Sequence, residues 1–112
     1  MRKLIFALAC CMAPLAWAQE STPEAAYLAA NEAAMGKMMN DMTVKPSGDV
    51  DRDFVAMMTP HHQGAIDMAR SYLRYGHNEE LSRVAQGIID GQQQEIAVMR
   101  HAIGDRSSGD AK

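Results

Sequence analysis

Two adjacent histidines, His61 and His62, lie in a sequence that is rich in methionine. Imidazole nitrogen and thioether sulfur are both donors that can bind a metal ion, and the thioether selects soft ions. These two residue types in one pattern therefore predict a site for a soft transition metal. The candidate ligands are His61, His62, Met57, Met58, Met68, Met35, Met38, Met39 and Met42.

Copper is the metal that fits these donors best. Thioether sulfur suits Cu(I), and imidazole suits copper in either oxidation state. Zinc fits less well, because thioether is a poor zinc ligand and the two cysteines, Cys10 and Cys11, lie in an N-terminal segment that we expect to be removed. The sequence therefore predicts a copper site, with Cu(I) favoured over Cu(II).

Helical periodicity places the candidate ligands on particular faces. At about 100° per residue, His61 falls in the middle of an apolar face with Met57 and Met68, and His62 falls at the edge of that face. We therefore expect His61 to point into the protein. In the first helix one face carries Leu28, Asn31, Met35, Met38, Met39 and Met42.

The third helix carries two polar residues, Gln92 and Glu95, at positions of its apolar stripe. A buried carboxylate or imidazole needs hydrogen-bond partners. We therefore predict that Gln92 and Glu95 bond to His61 across the bundle and orient its ring for the metal, with Met99 supporting them. The rest of the stripe is Leu81, Val84, Ala85, Ile88 and Ile103.

Each of these features also has a simpler interpretation. A methionine stripe at helical spacing is more often adaptable core filling than a ligand set. An adjacent histidine pair is often solvated, and Glu95 alone is typical of an exposed or salt-bridged acid. We expect His77 and His101 to be solvated. The copper interpretation depends on the combination rather than on any one of these residues.

The pattern of caps, prolines and glycines predicts three helices and no strands. The first runs from Ser21-Thr22-Pro23-Glu24 to about Met42, and a loop covers 43–50. The second is capped by Asp51, and Val50 and Val55 form a hydrophobic staple at that cap. It is kinked or split at Pro60 and ends at Gly76, which we expect to be left-handed. The third runs from Asn78 to about Ile103, and 105–112 is a polar tail.

The N-terminal segment 1–18 has the pattern of a secretory signal peptide. Arg2 and Lys3 precede an apolar run over 4–15, and Ala16-Trp17-Ala18 follows it as a cleavage site. Cleavage would leave a helical domain over 19–104 in the periplasm or outside the cell, without a transmembrane segment. Lipoprotein processing at Cys11 is the alternative. The net charge of −3 and the absence of a basic cluster argue against a nucleic-acid partner.

The sequence lacks the motifs that two classes of metal-containing protein require. A di-iron oxidase needs Glu-x-x-His pairs on facing helices, and no glutamate in this sequence has a histidine three residues after it. A c-type haem needs Cys-x-x-Cys-His, which is also missing. No nucleophile with an obvious base is found either, so we predict that the protein is not an enzyme.

The residues around the histidine pair resemble a known family over about Met35 to Met99. It is the domain-of-unknown-function family 305, which includes periplasmic copper-binding proteins of the CopM type. The resemblance implies a ferritin-like helical bundle, export, and copper binding or copper resistance. Similar sequences often carry a histidine among the methionines of the first helix, and Met38-Met39-Asn40-Asp41-Met42 does not, which leaves the ligand set there open. The matching positions are Asp53-Phe54, Met58, 61–69, Ile88-Ile89, Gln92, Glu95-Ile96 and Met99.

The leading hypothesis is a periplasmic copper-binding protein that sequesters copper or passes it to another copper-handling protein. His61, Met57, Met58 and Met68 would bind the ion with His62 at the edge, and the methionines of the first helix would line the same pocket or a second site. The alternative is a metal-free envelope interaction module whose methionine face packs a homodimer or a partner helix.

Overall fold

The part of the chain that the structure describes is an all-α bundle of three helices. The computed structural model describes residues 22–104, and these contain no β-strand. The helices are α1 (Pro23–Asp41), α2 (Val50–Tyr75) and α3 (Glu79–Ala102). The predicted signal peptide, both cysteines and the polar tail lie outside the described residues. No helix among the described residues is long and apolar enough to cross a membrane.

The ends of α1 and α3 follow the predicted capping chemistry. Thr22 caps α1, and its hydroxyl accepts a hydrogen bond from the Ala25 amide at 3.1 Å. Asn78 caps α3, and its side-chain oxygen accepts from the Leu81 amide at 2.9 Å. Each cap satisfies an amide that the first helical turn leaves unpaired. Gly104 follows α3 with a φ of 78°, which favours glycine.

The start of α2 differs from the prediction. Asp49, and not Asp51, is the N-cap, and its carboxylate accepts hydrogen bonds from the Asp51 and Arg52 amides. Ser47 sets this earlier start, because its hydroxyl accepts from the Asp49 amide and fixes the turn before the helix. Val50 is therefore the first helical residue and is exposed, so the predicted hydrophobic staple is wrong.

The helix α2 runs without a break through Pro60, so the predicted split is wrong, whereas a bend there stays a prediction. It ends before Gly76, as expected, but that glycine has a φ of −82° and is not a left-handed stop. A side chain is excluded there for another reason. A Cβ atom on Gly76 would lie 2.3 Å from the Tyr72 ring.

The helix α2 lies between the other two. It packs against α1 and α3, whereas no Cα atom of α1 lies within 8 Å of a Cα atom of α3 in residues 22–104. Between α2 and α3 lies the core cluster, which is built from Ile66, Ala69, Ala85, Ile89 and Ile96. The two outer helices thus pack against different sides of one central helix.

Gly64 allows α1 to approach α2 closely. A Cβ atom at this position would lie 2.7 Å from the sulfur of Met38 and 3.1 Å from its Cβ atom. We expect Gly64→Ala to destabilise the protein by about 1 kcal/mol, because overpacking costs about 1–3 kcal/mol and the gain in helix propensity returns about 1. Urea unfolding of the variant measures the change.

Gly87→Ala in α3 is the matched control, because a Cβ atom at Gly87 would meet nothing within 4 Å. We expect this variant to gain about 0.5–1 kcal/mol. Equal stabilisation by both alanines would show that the contact between Gly64 and Met38 is not tight.

Candidate metal site

The structure reverses the predicted roles of the two histidines. His62 is buried, with 7% of its surface exposed, whereas His61 is exposed to solvent. The prediction that His61 points into the protein is therefore wrong. The two ring centroids lie 6.0 Å apart, so the neighbouring rings have different surroundings.

The position of α2 between two helices explains this reversal. On one side of its apolar face, Gly64 packs against Met38 of α1. On the other side, Ile66 and Ala69 pack into the core cluster with α3. His61 falls between these two sides, and neither outer helix covers it. The middle of the apolar face is thus open, and the edge that carries His62 is buried.

His62 pairs with α3 through its side chain. Its Nε2 atom lies 2.5 Å from Oε2 of Glu95, which is itself 62% exposed. Glu95 was predicted to bond to His61, so the partner differs although the carboxylate is the expected one. Because an ionised carboxylate only accepts hydrogen bonds, Nε2 of His62 carries the proton in this contact.

The second ring nitrogen of His62 is buried and has no hydrogen-bond partner among the described residues. A buried polar atom without a partner costs about 1–3 kcal/mol. In the neutral ring, a proton on Nε2 leaves a lone pair on Nδ1. The interaction with Glu95 therefore presents Nδ1 as a free donor for a metal ion.

An open cavity of about 590 Å³ between α2 and α3 brings His62 together with two methionines, Met58 and Met99. The site therefore offers one imidazole and two thioether sulfurs, a donor set suited to Cu(I). Glu95 lies at the same cavity and could add a carboxylate oxygen. The complete lining is Phe54, Met58, His62, Gly91, Gln94, Glu95, Val98 and Met99.

The structure does not gather the other predicted ligands around His62. Met57 is exposed in the uncovered middle of α2, and Met68 lines a neighbouring groove with Tyr72 and Leu81. In α1, Met35 and Met39 are exposed, Met42 is half-buried, and Met38 packs on Gly64. Because α1 does not contact α3, its methionines lie on the other side of α2 from the cavity. A single pocket formed by all of these residues is therefore not observed.

Of the predicted supporting residues, Glu95 and Met99 line the cavity, whereas half-buried Gln92 is not among its lining residues. Met99, which the sequence predicts as a supporting residue, lines the cavity together with His62 and Met58. It follows Glu95 by four residues, which places both on the same face of α3 and could have indicated this position. His77 and His101 are exposed, as expected. Within residues 22–104, no cluster of three or more His, Cys, Asp or Glu side chains could hold a metal ion.

The proton position on His62 can be measured directly. We expect the Nε2–H tautomer in the metal-free protein, because Glu95 accepts that proton. Nitrogen chemical shifts of the imidazole, recorded by long-range ¹H–¹⁵N correlation, distinguish the two tautomers. In Glu95→Ala we expect Nε2 to lose this preference, while the ring of His61 keeps its shifts. A proton on Nδ1 of His62 in the original protein would contradict the geometry.

The comparisons with known proteins give a family. No curated protein matches the chain. The family described as Domain of unknown function (DUF305) matches residues 9–103. Because this match covers most of the 112 residues, the chain belongs to the DUF305 family.

Proposed function

We propose that the protein binds copper in the cavity between α2 and α3, with Nδ1 of His62 and the sulfurs of Met58 and Met99 as ligands. The observation that carries this proposal is the buried Nδ1 of His62, which has no hydrogen-bond partner within residues 22–104. His62 lines one cavity with Met58 and Met99. Glu95 holds the other nitrogen and thereby sets the tautomer and the direction of the ring.

The donor chemistry favours Cu(I) as the bound ion. Two thioethers and one imidazole are soft or intermediate donors without charge, which suits a singly charged soft cation. Cu(II) would make more use of nitrogen and oxygen, which here means His62 and Glu95. The protein would hold or hand on the ion without carrying out a reaction.

The proposed location is the periplasm or the medium, reached through the signal peptide over 1–18. In that compartment copper is handled without the cytosolic thiol pool, so methionine and histidine remain useful ligands. Another copper-handling protein would supply or receive the ion.

A competition titration with a chromogenic Cu(I) chelator tests the proposal. We expect His62→Ala to lower the Cu(I) affinity at least about 100-fold. Replacing a residue that only hydrogen-bonds to a metal ligand typically lowers the affinity 10–100-fold, and we expect Glu95→Gln to lower it by that amount. His61→Ala is the matched control and should keep the original affinity, because His61 is exposed and does not line the cavity.

Circular dichroism of each variant separates a lost site from a lost fold. Equal affinity of the original protein and folded His62→Ala would reject the site, as would a larger loss in His61→Ala. An original protein that does not compete for Cu(I) at all would reject copper as the ligand.

The second candidate function is the metal-free interaction module. The observation that favours it is the exposure of Met35, Met39 and Met57, which leaves apolar surface uncovered. Metal analysis after copper loading distinguishes the two functions, because the module would retain no copper after the free ion is removed.

A further inference from the structure

One side of the three-helix layer exposes a continuous apolar surface, which we call the open face. Its middle is the part of α2 that carries Phe54, Met57, His61 and Met68. One edge is formed by α1 and the other by α3. The residues at these edges are Leu28, Met35 and Met39 on α1 and Leu81, Val84 and Ile88 on α3.

A groove shows that the three helices contribute to the same side. Tyr27 of α1, Met68 and Tyr72 of α2, and Val84 and Ile88 of α3 line it together. The exposure of the apolar side chains is large, at 42% for Met57, 55% for Phe54 and 53% for Val84. Methionine and aromatic residues are typical of the buried centres of protein interfaces.

The middle of the open face carries no permanently charged side chain. The α2 residues that form its middle include no Asp, Glu, Lys or Arg, and His61 is the one titratable group among them. On α3 the nearby carboxylate of Glu95 is already paired with His62. A nucleic acid or an anionic membrane would require a basic surface, so the chemistry fits an apolar protein partner instead.

The area of the open face is that of a stable dimer interface. The 26 residues of α2 span about 39 Å at 1.5 Å per residue. Three helices side by side at about 8–10 Å spacing are about 25 Å wide. The resulting area of about 1,000 Å² is enough for the roughly 800 Å² that each partner contributes to a standard interface. A single added helix would cover only a third of that width.

The rest of the chain offers little to cover this face. The segment 105–112 contains one apolar residue, Ala111, among charged and small polar residues. The apolar segment over 4–15 belongs to the part that we propose is removed on export. Neither segment supplies an apolar cover of the required width.

We infer that a second copy of this chain covers the open face. A two-fold axis pairs one surface with itself, and because the middle of the open face has no Asp, Glu, Lys or Arg, two copies can meet there without repulsion. Because α2 forms the middle of the face, the α2 helices of the two copies pack against each other, and His61 and Met57 become buried between them. This interface adjoins the cavity of His62, because Phe54 belongs to both. The apolar contact itself needs no metal, so we expect the dimer to form without copper.

Sedimentation equilibrium in the presence of a metal chelator tests the inference on protein purified after expression of the full sequence. We expect a dimer. Val84→Glu and Ile88→Glu should each weaken it at least about 100-fold, because each places two unpaired carboxylates in one apolar interface. Ala97→Glu adds the same charge to the opposite side of α3, where Ala97 is exposed, and should leave the dimer intact.

Disulfide cross-linking gives a second measurement that does not depend on glutamate variants folding. Single cysteines at Met57, His61 and Met68 should yield at least one cross-linked dimer under mild oxidation, whereas Arg70→Cys on the far side of α2 should yield none. A monomer, an assembly larger than a dimer, or a dimer that Val84→Glu and Ile88→Glu leave unchanged would overturn the inference. Chelation rules out copper as the cause of any of these results.

Discussion

Replacing both Met58 and Met99 by leucine should lower the Cu(I) affinity of the protein at least about 100-fold. The two sulfurs lie with His62 at one cavity, and leucine removes them while keeping a similar volume. Exchanges of methionine for leucine usually cost less than about 1.5 kcal/mol of stability, so the fold should survive. Replacing a residue that hydrogen-bonds to a metal ligand typically lowers metal affinity 10–100-fold. We expect the loss of two direct ligands to lower it further. Competition with a Cu(I) chelator measures it.

The double variant Met35→Leu and Met39→Leu in α1 provides the control. These methionines are exposed, and their helix does not contact α3. We expect them to leave the affinity of the cavity unchanged. A loss that is confined to the α1 variant would place the copper ligands on the first helix and contradict the site between α2 and α3.

The helices were predictable because the signals that begin and end them are local. Thr22 and Asn78 satisfy amides within three residues of themselves, so their roles can be read from the neighbouring sequence. The cap of α2 was harder, because Asp49 and Asp51 have the same chemistry. The choice between them depends on the turn that Ser47 makes before the helix.

The burial of His62 was not predictable from periodicity alone. The apolar face of α2 is wide, and a closed bundle would bury its middle, where His61 lies. Instead, α1 and α3 pack on its two edges, and no helix among the described residues covers the middle. Periodicity identifies an apolar face, but it does not identify which neighbour covers which part of it.

Which methionines can bind a metal also depends on how the helices pack, and periodicity does not give this packing. A thioether binds a metal only where tertiary contacts bring it near the other donors, and methionine is also a common core residue. Met58, Met99 and His62 line one cavity because α2 packs against α3, whereas Met38 lies against Gly64 because α2 packs against α1. Similar stripes on two helices therefore have different surroundings.

Ile66→Ala should produce the largest loss of stability among single truncations, about 3 kcal/mol. Ile66 is the most completely buried large side chain among the described residues, with 1% of its surface exposed. It packs between α2 and α3 in a core that otherwise depends on Ile89, Ile96 and two alanines. Truncation of a buried isoleucine to alanine typically costs 2–5 kcal/mol, which is a large part of the 5–15 kcal/mol that stabilises a domain.

Urea unfolding at one fixed protein concentration measures this loss, and the fixed concentration keeps any contribution from association constant. Val50→Ala is the control, because Val50 is 83% exposed and its truncation should change stability by less than about 0.5 kcal/mol. If Ile66→Ala cost less than about 1 kcal/mol, the seam between α2 and α3 would not be the main source of stability. The cavity of His62 lies along that seam, so its geometry depends on the same packing.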